Sequence, residues 1–137
     1  MSTLLLIDLA IVALINLVLW LYILLKPVTV RYVESLHLGG LALALPGVIF
    51  MTPRVAGNEQ VLRHELAHIQ QLKRYTPIGV ALMLGWHYGS GYISHFLKHR
   101  SLPAFASLWE TNPLEIEANA KMGLDTPLPN IKGWPRR

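Results

Sequence analysis

An unbroken apolar run near the start of the chain restricts what this protein can fold into. Residues 4–25 are 22 consecutive positions with one charged side chain, Asp8, and one amide, Asn16. A helix needs about 20 mostly apolar residues to cross a bilayer, and Trp20 suits the interfacial end of such a helix. The run has neither the basic start nor the small-residue cleavage site of a signal peptide. We therefore predict a single transmembrane anchor over residues 1–27.

Two polar side chains in the anchor bear on its contacts, and the charges after it bear on its orientation in the membrane. Asp8 and Asn16 lie eight residues apart, on roughly one helix face. They predict a helix–helix contact within the membrane lipid; alternatively, Asp8 lies near the headgroups and Asn16 is tolerated. Lys26 and Arg31 follow the anchor and no basic residue precedes it. This favours a cytoplasmic location for the rest of the chain.

Composition narrows the remaining classes of protein. Charged residues make up 15% of the chain and hydrophobic residues 53%, whereas ordinary soluble domains carry about 25% charged residues. The net charge is +4, but the basic residues are scattered. No nucleic-acid partner is expected, because such proteins have a clustered basic face. The chain has no cysteine, so any metal must be held by His, Asp or Glu.

After the anchor, we expect one domain over residues 28–124 and a Pro-rich, irregular tail over residues 125–137. Within the domain, the dipeptide Pro46-Gly47 is a turn signal between two short apolar stretches of residues 36–52. This pattern predicts a β-hairpin. A loop that dips into the membrane is the alternative.

Two helices are predicted in the domain. One covers residues 59–75, with Asn58 as its N-cap, and ends before Pro77 because a residue that precedes proline is driven out of the helical region. The other covers residues 112–123, with Asn112 as its N-cap. The expected fold is mainly α with a small β-hairpin, in which an N-terminal transmembrane helix precedes a minimal catalytic domain.

The first of these helices carries an HExxH motif. His64 and His68 are four residues apart and share a helix face, so both imidazoles can bind one ion. Glu65 lies beside them, where it can accept a proton from a water that zinc has acidified. The alternative is a helix with two solvent-facing histidines. We predict a site for one Zn²⁺ ion, with Glu65 as the catalytic base.

A catalytic zinc needs a third protein ligand and an open position for water. Glu115 and Asn119 are four residues apart on the second predicted helix and share a face, whereas Glu117 points elsewhere. Glu115 is therefore the predicted third ligand. Asn119 would then hydrogen-bond one of the ligating histidines.

Alternatives to Glu115 stay open at this point. Glu117 is next, followed by His87 or His95, and all are of permitted ligand types. Asn112 and Glu115 also have the spacing of a capping box. In that case Glu115 would only satisfy the start of its helix.

The HELAH motif at residues 64–68, paired with a later ExxxN that begins at Glu115, resembles the gluzincin metallopeptidases. It looks most like the minimal membrane-linked kind, such as the CAAX-processing and heat-shock membrane zinc proteases. The resemblance implies a zincin-like fold in which His64, His68 and Glu115 bind zinc and Glu65 is the base.

The same resemblance carries two further implications. The family has Asp where this chain has Asn119, and an amide orients an imidazole less strongly than a carboxylate does. The family also has a short hairpin before the motif helix, and the edge strand of that hairpin aligns an extended peptide substrate. Residues 48–51 are the predicted edge here.

Residues 76–97 contain no Asp, Glu, Lys or Arg. A single membrane crossing here would separate the two histidines from Glu115, and the segment is too short for two crossings of about 20 residues each. We therefore predict a buried helix, a surface-lying helix or a re-entrant loop. Within it, Tyr88, Tyr92 and His87 are candidates for contact with an oxyanion or substrate.

The predicted activity is hydrolysis of a peptide bond in a peptide or protein substrate. Two other functions are compatible with the same residues. One is a non-catalytic membrane assembly or scaffold protein with a structural or vestigial metal site. The other is an enzyme that hydrolyses cell-wall peptides.

Overall fold

A computed structural model describes residues 3–36, 40–124 and 127–135. The described chain is mainly helical with one small sheet, which confirms the predicted class at this level. The elements in chain order are α1 (Thr3–Leu25), β1 (Thr29–Tyr32), β2 (Ala42–Leu45), β3 (Val48–Met51), a 3-10 turn (Pro53–Val55), α2 (Glu59–His99), α3 (Phe105–Glu110) and α4 (Pro113–Met122).

The sheet has the strand order β1-β3-β2. β2 and β3 are antiparallel and turn at the Pro46-Gly47 dipeptide, where Gly47 adopts a φ of +77°, so the predicted hairpin is confirmed. β1 pairs in parallel with β3 and was not predicted. The prediction that residues 48–51 form the edge strand is wrong, because β1 covers the second side of β3. The strand packed against α2 is β2.

The described part of the tail, residues 127–135, adds to the core. The N–H of Val30 donates to the carbonyl of Lys132 at 2.8 Å, and Ile131 is buried. Gly133 has a φ of +88°, and a Cβ there would collide with the carbonyl oxygen of Val30. The tail is irregular, as expected, but it closes one side of the sheet. Residues 125–126 and 136–137 of the predicted tail lie outside the described residues.

The hydrophobic core lies between the sheet and the first half of α2. Ile49 and Met51 of the central strand and Leu62 of α2 are fully buried. The other buried members of this cluster are Val30, Val55, Ile69 and Ile131. The histidine motif is therefore carried by a helix segment that is held rigidly by its apolar face.

A break at Thr76 divides α2 into a first arm, residues 59–75, and a second arm, residues 77–99. Thr76 has the non-helical angles φ 64° and ψ 160°, and Pro77 follows. The Thr76 hydroxyl accepts a hydrogen bond from the N–H of Gly79 at 3.2 Å, which caps the second arm. The predicted end of the first helix is confirmed, but a new helix begins immediately.

Helix α1 contacts the break through two hydrogen bonds. The Asn16 side-chain oxygen accepts from the N–H of Ile78 at 3.0 Å, and the Trp20 indole donates to the carbonyl of Lys73 at 2.8 Å. Asn16 therefore has a partner within its own chain. Of the described helices, α1 is the one that is long and apolar enough to cross a membrane, and Ile23 is its one buried residue.

Candidate metal centre

The first arm of α2 places the two motif histidines side by side. His64 and His68 lie one helical turn apart, and their Nε2 atoms are 3.0 Å from each other. Neither ring is fully exposed, because the arm's other side packs on the core. The motif falls in a regular helix that begins at Asn58, whose side chain accepts from the N–H groups of Gln60 and Val61. The predicted N-cap is confirmed.

Helix α4 brings Glu115 to the histidines. Its Oε2 lies 3.3 Å from Nε2 of His64 and its Oε1 lies 3.4 Å from Nε2 of His68. Asn112 caps α4 by accepting from the N–H of Leu114 at 3.0 Å, while its own N–H donates to the carbonyl of Trp109. Glu115 therefore does not form the reciprocal capping contact. Its buried carboxylate faces the two imidazoles.

The geometry of these three side chains fits a tetrahedral metal. One donor atom from each of His64, His68 and Glu115 lies within 4.8 Å of the others. The two Nε2 atoms are 3.0 Å apart, and they lie 3.3 and 3.4 Å from Oε2 and Oε1 of Glu115, respectively. These distances compare with about 3.3 Å between neighbouring ligand atoms of a tetrahedral zinc with bonds of about 2.0 Å. Two imidazoles and one carboxylate also leave one position open for water. The residues therefore form a group that could hold a divalent ion.

Gln71 is a residue of the candidate site that sequence reasoning missed. Its amide nitrogen donates to the carbonyl of Leu114 at 2.8 Å and to Glu117 at 3.1 Å, so its oxygen must accept from Nδ1–H of His68 at 2.9 Å. A neutral His68 then carries its lone pair on Nε2, the atom that faces Glu115. The available signal was its position, three residues after His68 on the same face.

Glu117, the alternative ligand, points away from the histidines. Its carboxylate accepts from Gln71 and lies 3.7 Å from Nη1 of Arg74. It thereby helps to orient Gln71, which in turn orients His68. Glu117 is not a member of the metal-binding group in this structure.

Asn119 lies on the same face of α4 as Glu115 and contacts His64. This contact is one of the causes that raise the pKa of His64. Nδ1 of His64 is buried and has no hydrogen-bond partner among the described residues. Asn119, which was predicted to hydrogen-bond a histidine of the motif, therefore lies near His64, but it does not form a hydrogen bond with Nδ1 of that ring.

The surroundings of the site raise the pKa of Glu65 and of His64. Burial raises the pKa of the Glu65 carboxyl, partly offset by the nearby His68 and His64 and by a hydrogen bond from the backbone of Ala44. The pKa of His64 is also raised, chiefly by its contact with Glu115, although burial opposes this. A carboxyl whose pKa lies closer to neutrality is better suited to general acid–base work.

A cavity of about 330 Å³ opens in front of the histidines. It lies between β2, the two arms of α2, α3 and α4. Its lining residues include Ala42 and Leu43 from β2, Val80, Leu84 and Tyr88 from the second arm, and Phe105 and Trp109 from α3. The lining of the cavity is therefore mostly apolar, with its polar groups concentrated around Glu65 and the three side chains that could hold a metal ion.

Of the three side chains predicted to contact an oxyanion or substrate, only Tyr88 lines this cavity. Its hydroxyl accepts from the amide of Asn112 at 3.4 Å. Tyr92 is not among the lining residues. His87 donates from Nε2 to the carbonyl of Leu108 at 2.8 Å, and His95 packs against the ring of His99. The two histidines thus have local contacts away from the metal-binding group.

The free edge of β2 faces this cavity. The carbonyl of Leu41 accepts from the N–H of Thr52, so alternation along the strand directs the backbone groups of Ala42 and Ala44 away from β3. The hydrogen bond from Ala44 to Glu65 agrees with that direction. The edge of β2 that pairs with no other strand therefore lies beside Glu65.

Comparison with known protein families, curated proteins and solved structures finds no match to this chain.

Proposed function

We propose that this protein is a membrane-anchored zinc metallopeptidase. The observation that carries the proposal is the convergence of His64, His68 and Glu115, which come from two helices far apart in sequence. Glu65 lies next to this group in a cavity large enough for an extended peptide segment. A helix with two solvent-facing histidines would not need a buried carboxylate opposite both rings.

In this proposal His64, His68 and Glu115 hold the ion, and Gln71 keeps Nε2 of His68 available to it. When bound, zinc supplies Lewis-acid polarisation of the scissile carbonyl and acidifies the attacking water. Glu65 accepts the proton that this water loses and later returns it to the leaving amine. The raised pKa of Glu65 makes its carboxylate a stronger proton acceptor.

The substrate is proposed to bind in extended form along β2. The outward-facing backbone groups of Ala42 and the carbonyl of Ala44 would pair with the peptide as a further strand. β3 cannot do this, since both of its sides are paired. Tyr88 is the polar side chain that the second arm contributes to the cavity lining, and it would hydrogen-bond an oxyanion.

Metal content and cleavage in a matched pair of variants test the proposal. The full chain, purified in detergent, should contain one zinc by elemental analysis and should generate new termini in a mixed-sequence peptide library analysed by mass spectrometry. Glu65→Gln should keep the zinc and lose cleavage by roughly 10²–10⁴-fold, the contribution of a general base. Glu59→Gln, an exposed position on the same arm, should change neither.

Three outcomes would contradict the proposal. A chain without zinc removes its basis. Full zinc occupancy with no cleavage of any peptide would indicate a structural metal in an assembly or scaffold protein. Cleavage that survives Glu65→Gln would assign the base to another residue. Cleavage restricted to cell-wall peptides would keep the hydrolytic centre and change only the substrate class.

A further inference from the structure

The second arm of α2 has an exposed apolar stripe that the metal centre does not use. Leu82, Trp86, Ile93 and Leu97 are exposed by 67%, 79%, 63% and 65%. Their spacings of four, seven and four residues place them along one helix face. The segment 76–97 contains no charged residue. A stripe this apolar is unusual on a surface that faces water.

The opposite face of the same arm lines the cavity. Val80, Leu84 and Tyr88 are also four residues apart and face the metal centre. The arm therefore has one face against the protein's own cavity. Its other face has no cover among the described residues.

Helix α1 determines where the arm lies. Trp20 is hydrogen-bonded to Lys73, and Asn16 is hydrogen-bonded to Ile78. Residue numbers therefore rise along α2 where they fall along α1, which means that the end of the first arm is antiparallel to the end of α1. The break at Thr76 is thereby placed beside the middle of α1. If α1 crosses a membrane, the break lies at or below the level at which Trp20 meets the headgroups.

The second arm does not continue along α1. His68 lies eight residues before Thr76 and Tyr88 twelve residues after it, about 12 and 18 Å along their arms, yet both line one cavity. The two arms therefore diverge from the break as a V, with the cavity between them. Since Leu82 and Trp86 are highly exposed, the stripe of the second arm faces away from the domain.

We propose that the second arm is an interfacial helix whose stripe of Leu82, Trp86, Ile93 and Leu97 is embedded in one leaflet of a bilayer. The stripe begins next to α1, so its apolar surface continues that of the anchor. The arm ends at Lys98 and Arg100, which suit lipid phosphates. This inference rests on the proposed membrane anchoring, and it places the cavity directly above the membrane surface.

Single cysteines test the inference, because the chain has none of its own. Ile93→Cys probes the stripe, and Ile116→Cys is the matched control, since Ile116 lies on α4 and is exposed by 55%. Leu14→Cys reports whether α1 is in the bilayer. In the full chain in lipid nanodiscs, which leave both membrane sides open, a charged membrane-impermeant maleimide should label Ile93→Cys and Leu14→Cys at least about tenfold more slowly than Ile116→Cys.

A nitroxide at the same cysteines identifies what covers the stripe. Lipid contact at Ile93→Cys should give frequent collisions with oxygen and few with a water-soluble nickel complex. Rare collisions with both would mean that protein, such as a second copy of this chain, covers the stripe, and would overturn the proposal. Fast labelling of Ile93→Cys with slow labelling of Leu14→Cys would overturn the inference alone. Fast labelling of both would remove the membrane anchor as well, and the zinc site would still be open to its own test.

Discussion

The first arm of α2 packs against the sheet and α4, whereas the second arm, residues 77–99, contains no buried residue although the structure describes all of it. The outer face of the first arm is polar, with Glu59, Gln70 and Arg74 exposed, and the outer face of the second arm is apolar. Burial of the first arm by protein gives its side chains fixed positions, which a metal site requires. The second arm contributes a cavity wall and an apolar surface.

The largest expected effect is on zinc binding, and it comes from removal of the Glu115 carboxylate, which contacts the two histidines of the first arm. Glu115→Ala should weaken zinc binding by more than about 100-fold, the upper range for residues that only support a ligand. Glu117→Ala, two residues away but turned toward Gln71 and Arg74, should weaken it less. Competition titrations with a chelator measure both. Equal losses would contradict the assignment of Glu115 as the ligand.

The two arms should also differ in stability. Leu62 of the first arm is fully buried and Leu82 of the second is largely exposed. Leu62→Ala should lower the free energy of unfolding by about 2–5 kcal/mol, because it leaves a cavity in the core. Leu82→Ala should lower it by less than about 1 kcal/mol. Chemical denaturation in detergent provides the measurement, and similar losses would mean that the second arm is buried too.

Two adjacent glutamines on the first arm, Gln70 and Gln71, test whether a side-chain amide controls the orientation of His68. Gln71 is buried and orients His68, whereas Gln70 is exposed. Gln71→Ala should weaken zinc binding by about 10–100-fold, with Gln70→Ala as the control that leaves it unchanged. If Gln71→Ala binds zinc as tightly as the native chain, the amide does not control the orientation of His68.

A single hydrogen bond, from the N–H of Ile78 to the side chain of Asn16, contacts the break between the arms, and its loss should have a smaller effect. Asn16→Ala removes the acceptor for the N–H of Ile78 and should lower the free energy of unfolding by about 0.5–1.5 kcal/mol. Leu17→Ala, on the exposed side of α1, is the matched substitution. Amide hydrogen exchange at Ile78 should rise in the first variant and not in the second. Unchanged exchange would argue against an intramolecular role for Asn16.

The smallest effect concerns pH. The raised pKa of His64 means that a proton remains on the ring to a higher pH than on an ordinary imidazole, and it must leave before the metal binds. Zinc affinity should therefore decrease as pH falls through that raised pKa, by less than about tenfold between pH 8 and pH 7. His95→Ala, on the second arm, should not alter this profile. An affinity that does not depend on pH would contradict the use of His64 as a ligand.

Local signals in the sequence were sufficient to predict several structural elements. Pro46-Gly47 predicted the hairpin, and Asn58 and Asn112 predicted two helix starts, because turns and caps depend on neighbouring residues. The break at Thr76 followed from Pro77 for the same reason. These contacts span at most a few residues, so the amino-acid order contains them directly.

Long-range pairings were not predictable in this way. β1 is only four residues long and pairs with β3 in parallel, and the resulting sheet order moved the open edge from β3 to β2. The role of Gln71 depends on the distant carbonyl of Leu114. Neither relationship leaves a local signal, because each needs two segments to be packed together first.

The order of amino acids by itself determined the histidine pair with its adjacent glutamate, since the 3.6-residue helical repeat places His64 and His68 on one face. It also determined an apolar helix of membrane-spanning length. Only the tertiary structure decided that Glu115, and not Glu117, faces the pair, and that Asn16 bonds to the break in α2. These choices depend on how α1 and α4 pack against α2, and packing is a property of surfaces brought together from distant parts of the chain.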